Sequence, residues 1–326
     1  MRAGPRRSLS APVLDRIVQA AFPGCRALVC EPLAGGLRNA NFKLQLDLAR
    51  EPVVLRIYEH DASLCQKEVD LMRLVGGAAP VPEVIYAKPG GWEDLPPFSL
   101  TRWVEGITFR DLKRGGDAEA IAQAAQAAGE TLAAIGRFRF SAPGWIGPGP
   151  TVGAPLLEGA DSLPHFIDLC LGSENPQRRM PAEVRDRAHA LVWEQAPRLA
   201  GVAGDACLVH GDFNKRNLLV RRVDGRTGAR WRVVALLDWE FAVSGSPLGD
   251  LGSFLRYERA ARPVAEPHFS AGYMRAGGRL PHDWRRLARL VDLAALCESL
   301  THDRLPDDVM TELVELVRAT IEDRGY

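Results

Sequence analysis

The sequence predicts an α+β protein of two parts, a small β-rich N-terminal part followed by a larger, mostly helical C-terminal part. Apolar runs rich in Val, Ile and Leu, separated by turns that contain Gly or Pro, dominate roughly the first hundred residues. Segments with helical spacing of apolar residues, beginning with the Ala-rich stretch 117–138, dominate the remainder. A chain of 326 residues is long enough for two such parts.

The N-terminal part is expected to contain two helices and a small sheet. A Ser and a Pro near the start of "SAPVLDRIVQAAF" favour a first helix there. A second helix is predicted for "LCQKEVDLMRLV", which has apolar residues at helical spacing and no breaker. Strands are predicted on both sides of the glycines in "ALVCEPLAGGLRNANFKLQLDL", and in "PVVLRIYE", "VPEVIYAKP" and "PFSLTRWVEG".

The C-terminal part is expected to carry long helices and one polar hairpin. Further helical patterns lie at 181–200, 282–300 and 306–323, and the Gly- and Pro-rich segment 141–160 is expected to be a loop. Between the helices, "LVHGDFNKRNLLV" (208–220) places polar residues between two strand-like runs. The turn "VDGRTG" then leads into a second strand, "VVALL", which ends at the acidic sequence "DWE".

Composition excludes several classes of protein. Lys and Arg total 41, and so do Asp and Glu, so nothing indicates a nucleic-acid or membrane surface. The six cysteines are scattered singly, without metal-ligand spacing, and are expected to be reduced thiols. The basic N-terminus lacks the apolar stretch of a signal peptide, and no run of about 18 apolar residues is present. We therefore expect a cytoplasmic protein that binds neither nucleic acid nor membrane.

The polar turn carries residues suited to phosphoryl transfer. Asp212 precedes Asn217 by five residues, and the hairpin should bring this loop beside Asp238. Transfer from a nucleotide needs a carboxylate that orients the acceptor hydroxyl, and oxygen ligands that hold magnesium against the phosphates. Asp212 suits the first role, and Asn217 with Asp238 the second. The alternative is that Asp212 and Asn217 only cap backbone groups of a tight turn.

These blocks resemble the aminoglycoside phosphotransferase and choline kinase-like family, whose members share the protein-kinase fold. The family's HGD-x4-N loop is met here as "HGDFNKRN", and its acidic metal motif as "DWE". The resemblance implies a two-lobed protein-kinase-like fold, with Asp212 as catalytic base and Asn217 and Asp238 as magnesium ligands. It also implies that His210 supports the loop, and it gives Glu240 at most an indirect role at the metal.

The resemblance extends to nucleotide-binding residues of the N-terminal part. "LAGGLRNANFKLQL" is similar to the family's glycine turn, and "SLTRWVEG" to the segment whose backbone binds adenine. Arg56 stands where a protein kinase has its phosphate-binding lysine, and Glu68 on the following helix is its natural partner. The nucleotide-binding residues implied are Gly35, Gly36, Asn39, Arg56, Glu68, Arg102, Trp103 and Val104.

The implied domains are residues 1–103, a nucleotide-binding lobe, and residues 104–326, a catalytic and acceptor-binding lobe. The hinge is expected near residues 103–106, with the nucleotide between the lobes. Asp250 fits the family's aspartate that ties down the catalytic loop, although such a residue is also a helix cap. Lys215 is expected either to be exposed or to reach the transferred phosphoryl group.

The resemblance implies ATP or GTP as phosphoryl donor, Mg²⁺ as cofactor and a small-molecule hydroxyl as acceptor. An aminoglycoside-type antibiotic or a related amino or sugar alcohol is the expected acceptor; choline, ethanolamine, homoserine and sugars are the alternatives. A polycationic acceptor requires carboxylates to pair its ammonium groups. The late helices carry Asp292, Glu298, Asp303, Asp307, Asp308, Glu312 and Glu315, a pattern that is also typical of a solvated helix face.

Two other classes of function are considered. A protein kinase is disfavoured because the loop has HGD in place of HRD and no DFG or APE motif follows. A non-catalytic nucleotide-binding module is disfavoured because it needs no base such as Asp212. The chain is expected to be a monomer or a weak homodimer.

Overall fold

The computed structural model describes residues 9–33, 39–49, 51–157, 159–225, 228–258 and 262–322. The chain divides into two compact units. The first comprises Met1–Gly106, Gly147–Thr151 and Val234–Glu240, and the second Ile107–Ile146, Val152–Val233 and Phe241–Tyr326. Compared with the domain boundary predicted at residues 103 and 104, two short later segments group with the first unit.

The first unit is built around a five-stranded antiparallel sheet with the strand order β1-β2-β3-β5-β4. Its strands are β1 (Ala27–Pro32), β2 (Ala40–Leu46), β3 (Val53–Ile57), β4 (Val84–Lys88) and β5 (Phe98–Arg102). Helix α1 (Ala11–Ala21) precedes the sheet, and α2 (Ser63–Val75) connects β3 to β4. The small sheet with an inserted helix is thus confirmed.

Buried and half-buried side chains alternate along β3. Val53, Leu55 and Ile57 are buried, whereas Val54 and Arg56 are half-buried. Successive side chains of a strand point to opposite faces, so the buried three join the apolar core of this unit while Arg56 projects from the other face.

The second unit is mostly helical, as predicted. Its helices are α3 (Phe109–Gly115), α4 (Ala118–Ile135), α5 (Leu163–Gly172), α6 (Glu174–Arg179), α7 (Ala182–Glu194), α8 (Ala196–Ala203), α9 (Leu248–Leu255), α10 (His268–Arg275), α11 (Trp284–Leu300) and α12 (Asp307–Ile321). The predicted segments 181–200, 282–300 and 306–323 correspond to α7 with α8, to α11 and to α12. No described helix is both long and apolar enough to cross a membrane.

Short strands carry the polar loop of the second unit. They are β6 (Ile107–Thr108), β7 (Gly144–Trp145), β8 (Cys207–Val209), β9 (Leu218–Val223), β10 (Arg230–Leu236) and β11 (Val243–Gly245). One sheet has the order β10-β9-β6, which confirms the predicted hairpin of β9 and β10, and the other has the order β7-β11-β8. The polar loop therefore joins β8 of one sheet to β9 of the other. The segment 141–160, predicted as a loop, contains β7.

Two glycines allow α4 and α10 to pack closely. A Cβ atom at Gly129 would lie 2.0 Å from the carbonyl oxygen of Phe269, and one at Gly272 would lie 2.1 Å from that of Gln126. Any side chain at either position would therefore overlap with the backbone of the other helix. A second apolar cluster joins α5, α7, α11 and α12.

Candidate active site

In the first unit, Arg56 is surrounded by three carboxylates. Its Nη2 atom lies 3.0 Å from Glu68 Oε1, 2.7 Å from Asp238 Oδ1 and 3.7 Å from Glu240 Oε2. The predicted ion pair between Arg56 and Glu68 is therefore present. The structure also brings Asp238, predicted from a distant part of the sequence, to the same guanidinium.

Three different elements supply this cluster. Arg56 projects from β3, Glu68 lies on the buried face of α2, and Asp238 follows the end of β10. Asp238 is the non-glycine residue with positive φ in the described part of the chain, at +69°. This left-handed conformation is disfavoured for residues with a Cβ atom, although Asp tolerates it better than most, and such strain concentrates at functional sites.

Burial and charge act in opposite directions in this cluster. Burial raises the pKa of Glu68 to about 7, against the lowering influence of Arg56. The Tyr58 hydroxyl donates a hydrogen bond of 2.9 Å to the second oxygen of Glu68, and this bond stabilises the ionised form. Burial alone would lower the pKa of Arg56, but Glu68 and Asp238 raise it further above its usual range. The guanidinium is thus a permanent positive charge.

Glu240 is more closely integrated than the sequence indicated. It is buried, and Asn39 Nδ2 lies 3.5 Å from its Oε2 atom. The backbone carbonyl of Glu240 accepts a hydrogen bond of 2.7 Å from Lys67 Nζ, and burial lowers the pKa of Lys67 to about 8. Sequence reasoning overlooked Lys67, since nothing in an amphipathic helix distinguishes a buried lysine from an exposed one.

The donor set of the first unit fits a divalent cation. One carboxylate oxygen from each of Glu68, Asp238 and Glu240 lies within 4.8 Å of the others. Carboxylate oxygens are the ligands that Mg²⁺ prefers. Arg56 already provides positive charge to the same oxygens, so a metal ion bound there would share them with a guanidinium.

The remaining predicted nucleotide-binding residues are placed only in part. Gly35 and Gly36 lie outside the described residues. The amide of Arg102 donates to the carbonyl of Glu83 (2.9 Å) and the amide of Trp103 to that of Pro52 (3.1 Å). These two N–H groups are therefore already hydrogen-bonded to backbone carbonyls of the first unit.

Val104 is the third predicted contact to adenine. Among backbone groups of the described ranges, its amide finds no hydrogen-bond acceptor. Of the three predicted amides, that of Val104 is therefore the best suited to donate a hydrogen bond to an acceptor atom of a bound base.

In the second unit, the polar loop holds the Asp212 side chain from two sides. Asn214 Nδ2 donates to Asp212 Oδ1 (2.6 Å) and Asn217 Nδ2 donates to Asp212 Oδ2 (2.8 Å). Asn217 also donates to the Asp212 carbonyl (3.0 Å), so its amide nitrogen is directed at Asp212. The Oδ1 atom of Asn217 is then the end of the side chain that could bind a metal ion.

Asp250 anchors the start of this loop, as predicted. Its carboxylate is fully buried in α9 and accepts hydrogen bonds from the amides of His210 (2.7 Å) and Gly211 (3.0 Å). The imidazole of His210 is also fully buried, and its Nδ1 accepts a hydrogen bond from the Asp212 amide (3.3 Å). Gly211 has φ +79°, and a Cβ atom there would lie 2.1 Å from the carbonyl oxygen of Phe241. The glycine of the HGD motif is thus required by both conformation and space.

Lys215 does not have the environment that the sequence predicted. Its side chain is only 12% exposed, with Nζ 3.0 Å from Glu258 and hydrogen-bonded to the carbonyl of Phe254. Glu258 is itself buried and also pairs with Lys113 of α3. Burial lowers the pKa of Lys215 to about 8. Lys215 therefore holds the loop against the end of α9. It is not exposed, and its ammonium group is bound by Glu258 and the Phe254 carbonyl, so it does not match the predicted phosphoryl contact.

A protein-family model described as the phosphotransferase enzyme family matches residues 29–290. Curated protein sequences give no match at a significant level. Solved structures with similar folds include a thermostable variant of aminoglycoside phosphotransferase APH(4)-Ia in ternary complex with AMP-PNP and hygromycin B. It aligns with a TM-score of 0.67 and 20% identity, over 95% of this chain and 98% of that chain.

Two further solved structures also have similar folds. The GDP and kanamycin complex of APH(2")-IIia aligns with a TM-score of 0.66 and 19% identity, over 94% of this chain and 98% of that chain. A candidate fructosamine-3-kinase from Thermobifida fusca aligns with a TM-score of 0.61 and 19% identity, over 96% of this chain and 100% of that chain. These likenesses establish the kinase-like fold. Because the family model spans most of the chain and includes both the HGD loop and the DWE motif, the chain belongs to the phosphotransferase enzyme family.

Proposed function

We propose that this phosphotransferase transfers the γ-phosphoryl group of ATP or GTP to a hydroxyl group of a small molecule, with Asp212 as the base. The observation that carries the proposal is the fixed Asp212 carboxylate, which is held by Asn214 and Asn217 in a loop anchored on buried Asp250. The side-chain amides of Asn214 and Asn217 donate to the two different oxygens of the Asp212 carboxylate, and these bonds orient it.

Asp212 orients the acceptor hydroxyl and accepts its proton. The hydroxyl oxygen forms a bond to the γ-phosphorus while the bond from that phosphorus to the bridging oxygen breaks, and a nucleoside diphosphate leaves. Because the transition state of such transfers is loose, the acceptor proton leaves late, and positioning by Asp212 contributes at least as much as its basicity.

Nucleotide binding is assigned to the first unit and to Asn217. Arg56, fixed by Glu68, would supply a permanent positive charge for phosphate oxygens, and the amide of Val104 would donate a hydrogen bond to the base. Asp238 and Asn217 would hold Mg²⁺, with Glu240 as a neighbouring carboxylate. When bound, the metal ion neutralises charge on the phosphates. The structures of APH(4)-Ia with AMP-PNP and of APH(2")-IIia with GDP support a nucleotide as donor.

The similar structures support two different classes of acceptor. An aminoglycoside, expected from the sequence, is supported by the hygromycin B and kanamycin complexes of similar folds. A sugar-type acceptor is supported by the similarity to the candidate fructosamine-3-kinase. At about one residue in five identical, neither likeness selects the acceptor.

Asp238→Ala tests the metal assignment. We expect it to abolish Mg²⁺-dependent nucleotide binding and turnover, because it removes a metal ligand, and to leave the fold intact, because Arg56 keeps its ion pair with Glu68. Nucleotide affinity measured calorimetrically with and without Mg²⁺ gives the readout, and Asp15→Ala in α1 is an exposed control. Mg²⁺-dependent binding and turnover that survive Asp238→Ala unchanged would refute the assignment.

A further inference from the structure

The end of α9 and the residues after it lie against the loop that carries Asp212. Lys215 of the loop donates to the Phe254 carbonyl, lies 4.5 Å from the centre of the Phe254 ring and pairs with Glu258 at 3.0 Å. Residues 254–258 are thereby fixed beside the proposed base. Side chains of this segment that reach solvent are consequently placed to contact an acceptor.

Arg256 is the charged residue of this segment that is partly open to solvent, with 22% of its side chain exposed. Asp292 of α11 holds one edge of its guanidinium: Nε donates to Oδ2 (2.9 Å) and Nη2 to Oδ1 (2.6 Å). Throughout the described ranges, no hydrogen bond engages Nη1. The guanidinium is thus fixed in orientation by one edge and retains donors on the other, which suits it to bidentate recognition of an anion.

Two of the described carboxylates that contact residues 254–258 already pair with cations. Asp292 is bound to Arg256, and Glu258 to Lys215, Lys113 and the amide of Ala265. Glu312, the late-helix carboxylate that contacts this segment besides Asp292, hydrogen-bonds to the Tyr257 hydroxyl.

Charged residues of the loop also act on this segment. Arg216 of the loop is exposed, and its charge acts on Tyr257. The Asp212 carboxylate acts on Arg256, together with the larger influence of Asp292, to raise the pKa of Arg256 despite its burial. An ammonium group brought to this segment would have to compete with Arg256 for Asp292 and with Lys215 for Glu258, and an ammonium that is desolvated without a partner costs affinity.

We infer that the acceptor carries an anionic group, a carboxylate or a phosphate, near the hydroxyl that is phosphorylated, and that Arg256 binds this group through Nη1. The inference rests on the proposed role of Asp212. It assigns Arg256 as a residue that determines specificity, and it disfavours the polycationic aminoglycosides expected from the sequence.

The test compares acceptors within two sets whose members are similar in size but differ in charge, and adds two larger polycations. Glycerate, glycerol 3-phosphate, glycerol and 3-amino-1,2-propanediol form one set; gluconate, glucose and glucosamine form a second; kanamycin and hygromycin B are the polycations. For each compound, kcat/KM for transfer from Mg·ATP and Kd in the presence of Mg·AMP-PNP are measured on the full chain. The carboxylate and phosphate members distinguish the two sources of negative charge.

We expect the best anionic member to exceed its amine-bearing counterpart at least about tenfold, the effect of one charge-assisted hydrogen bond or more. Arg256→Met should remove this preference while changing the neutral member little. Arg256→Lys, which keeps the charge but not the planar fork, should retain part of it. Arg179→Met, which removes a half-buried arginine paired with Asp307 elsewhere in the unit, is the matched control and should keep the wild-type preference.

Equal or better transfer to amine-bearing acceptors, or no preference for the anionic member in either transfer or binding, would overturn the inference. A preference that persists in a folded Arg256→Met variant would also overturn the assignment of Arg256. Mg²⁺-dependent nucleotide binding and transfer to any acceptor, followed in the same samples, report on the proposed function separately. An enzyme that phosphorylated kanamycin best would contradict this inference and leave the proposed reaction standing.

Discussion

Asp250 fixes the loop of the proposed base with a carboxylate that is costly to ionise where it lies. Its hydrogen bonds from the backbone amides of His210, Gly211 and Phe213 favour the ionised form, but burial outweighs them and raises the pKa of Asp250 from 3.8 to about 7. The folded state therefore holds a proton that the unfolded chain releases near pH 4. The stability contributed by this group is fully present below about pH 4 and is lost as the pH rises through about 7.

This linkage gives a prediction for Asp250→Asn, which cannot ionise. We expect the free energy of unfolding of the wild type, relative to that of the variant, to fall between about pH 4 and about pH 7. Denaturant unfolding of both proteins across this range measures the difference. Titrating groups common to both proteins cancel in it. A difference that stays constant with pH would mean that Asp250 has an ordinary pKa.

At the scale of single residues, the sequence predicted what a motif specifies. The pairing of Arg56 with Glu68 and the anchoring role of Asp250 were predicted and are present. The burial of Lys215 was not, because it depends on Glu258, which lies 43 positions further along the chain and belongs to no motif. Spacing identifies groups that act locally, but partners of a buried charge are set by tertiary packing.

At the scale of elements, the contact of α4 with α10 depends on glycine. Gly129→Ala should destabilise the protein by about 1–3 kcal/mol or more, since its Cβ atom would lie 2.0 Å from a backbone oxygen that cannot move without its helix. Thermal and denaturant unfolding give the measurement. Gly201→Ala, in α8 with no atom within 4 Å of the added Cβ, is the control and should stabilise by about 0.5–1 kcal/mol. Equal effects of the two substitutions would show that the close approach is not tight.

The length of an element and the periodicity of its apolar residues determine whether the sequence could predict it. The strands β2, β3 and β5 and the helices α2, α4, α11 and α12 have clear periodicity and were predicted. The short helices α9 and α10 were not, because eight residues give too little periodicity to separate a helix from a buried strand. Strand β7 was missed within the segment predicted as a loop, because its two residues are defined only by pairing with β11.

At the scale of the whole molecule, the order of the elements along the chain predicted a β-rich part followed by a helical part, and the family resemblance implied the kinase-like fold. Neither predicted the membership of the two units. Residues 234–240 group with the first unit although more than a hundred residues of the second precede them. This grouping brings Asp238 to Arg56. The order of residues along the chain would assign 234–240 to the later domain, because local composition does not show that this segment packs with the first unit.

The central claim is that Asp212 acts on the acceptor hydroxyl and not on the nucleotide. The most direct measurement is the rate of acceptor phosphorylation together with nucleotide affinity for Asp212→Asn, with Asp224→Asn as the exposed control. We predict that transfer falls by about 10²–10⁴-fold, as when one positioned acid–base group is removed, while nucleotide affinity changes little. Undiminished transfer by Asp212→Asn would contradict the account. Loss of nucleotide binding in a folded variant would instead make Asp212 a ligand of the metal.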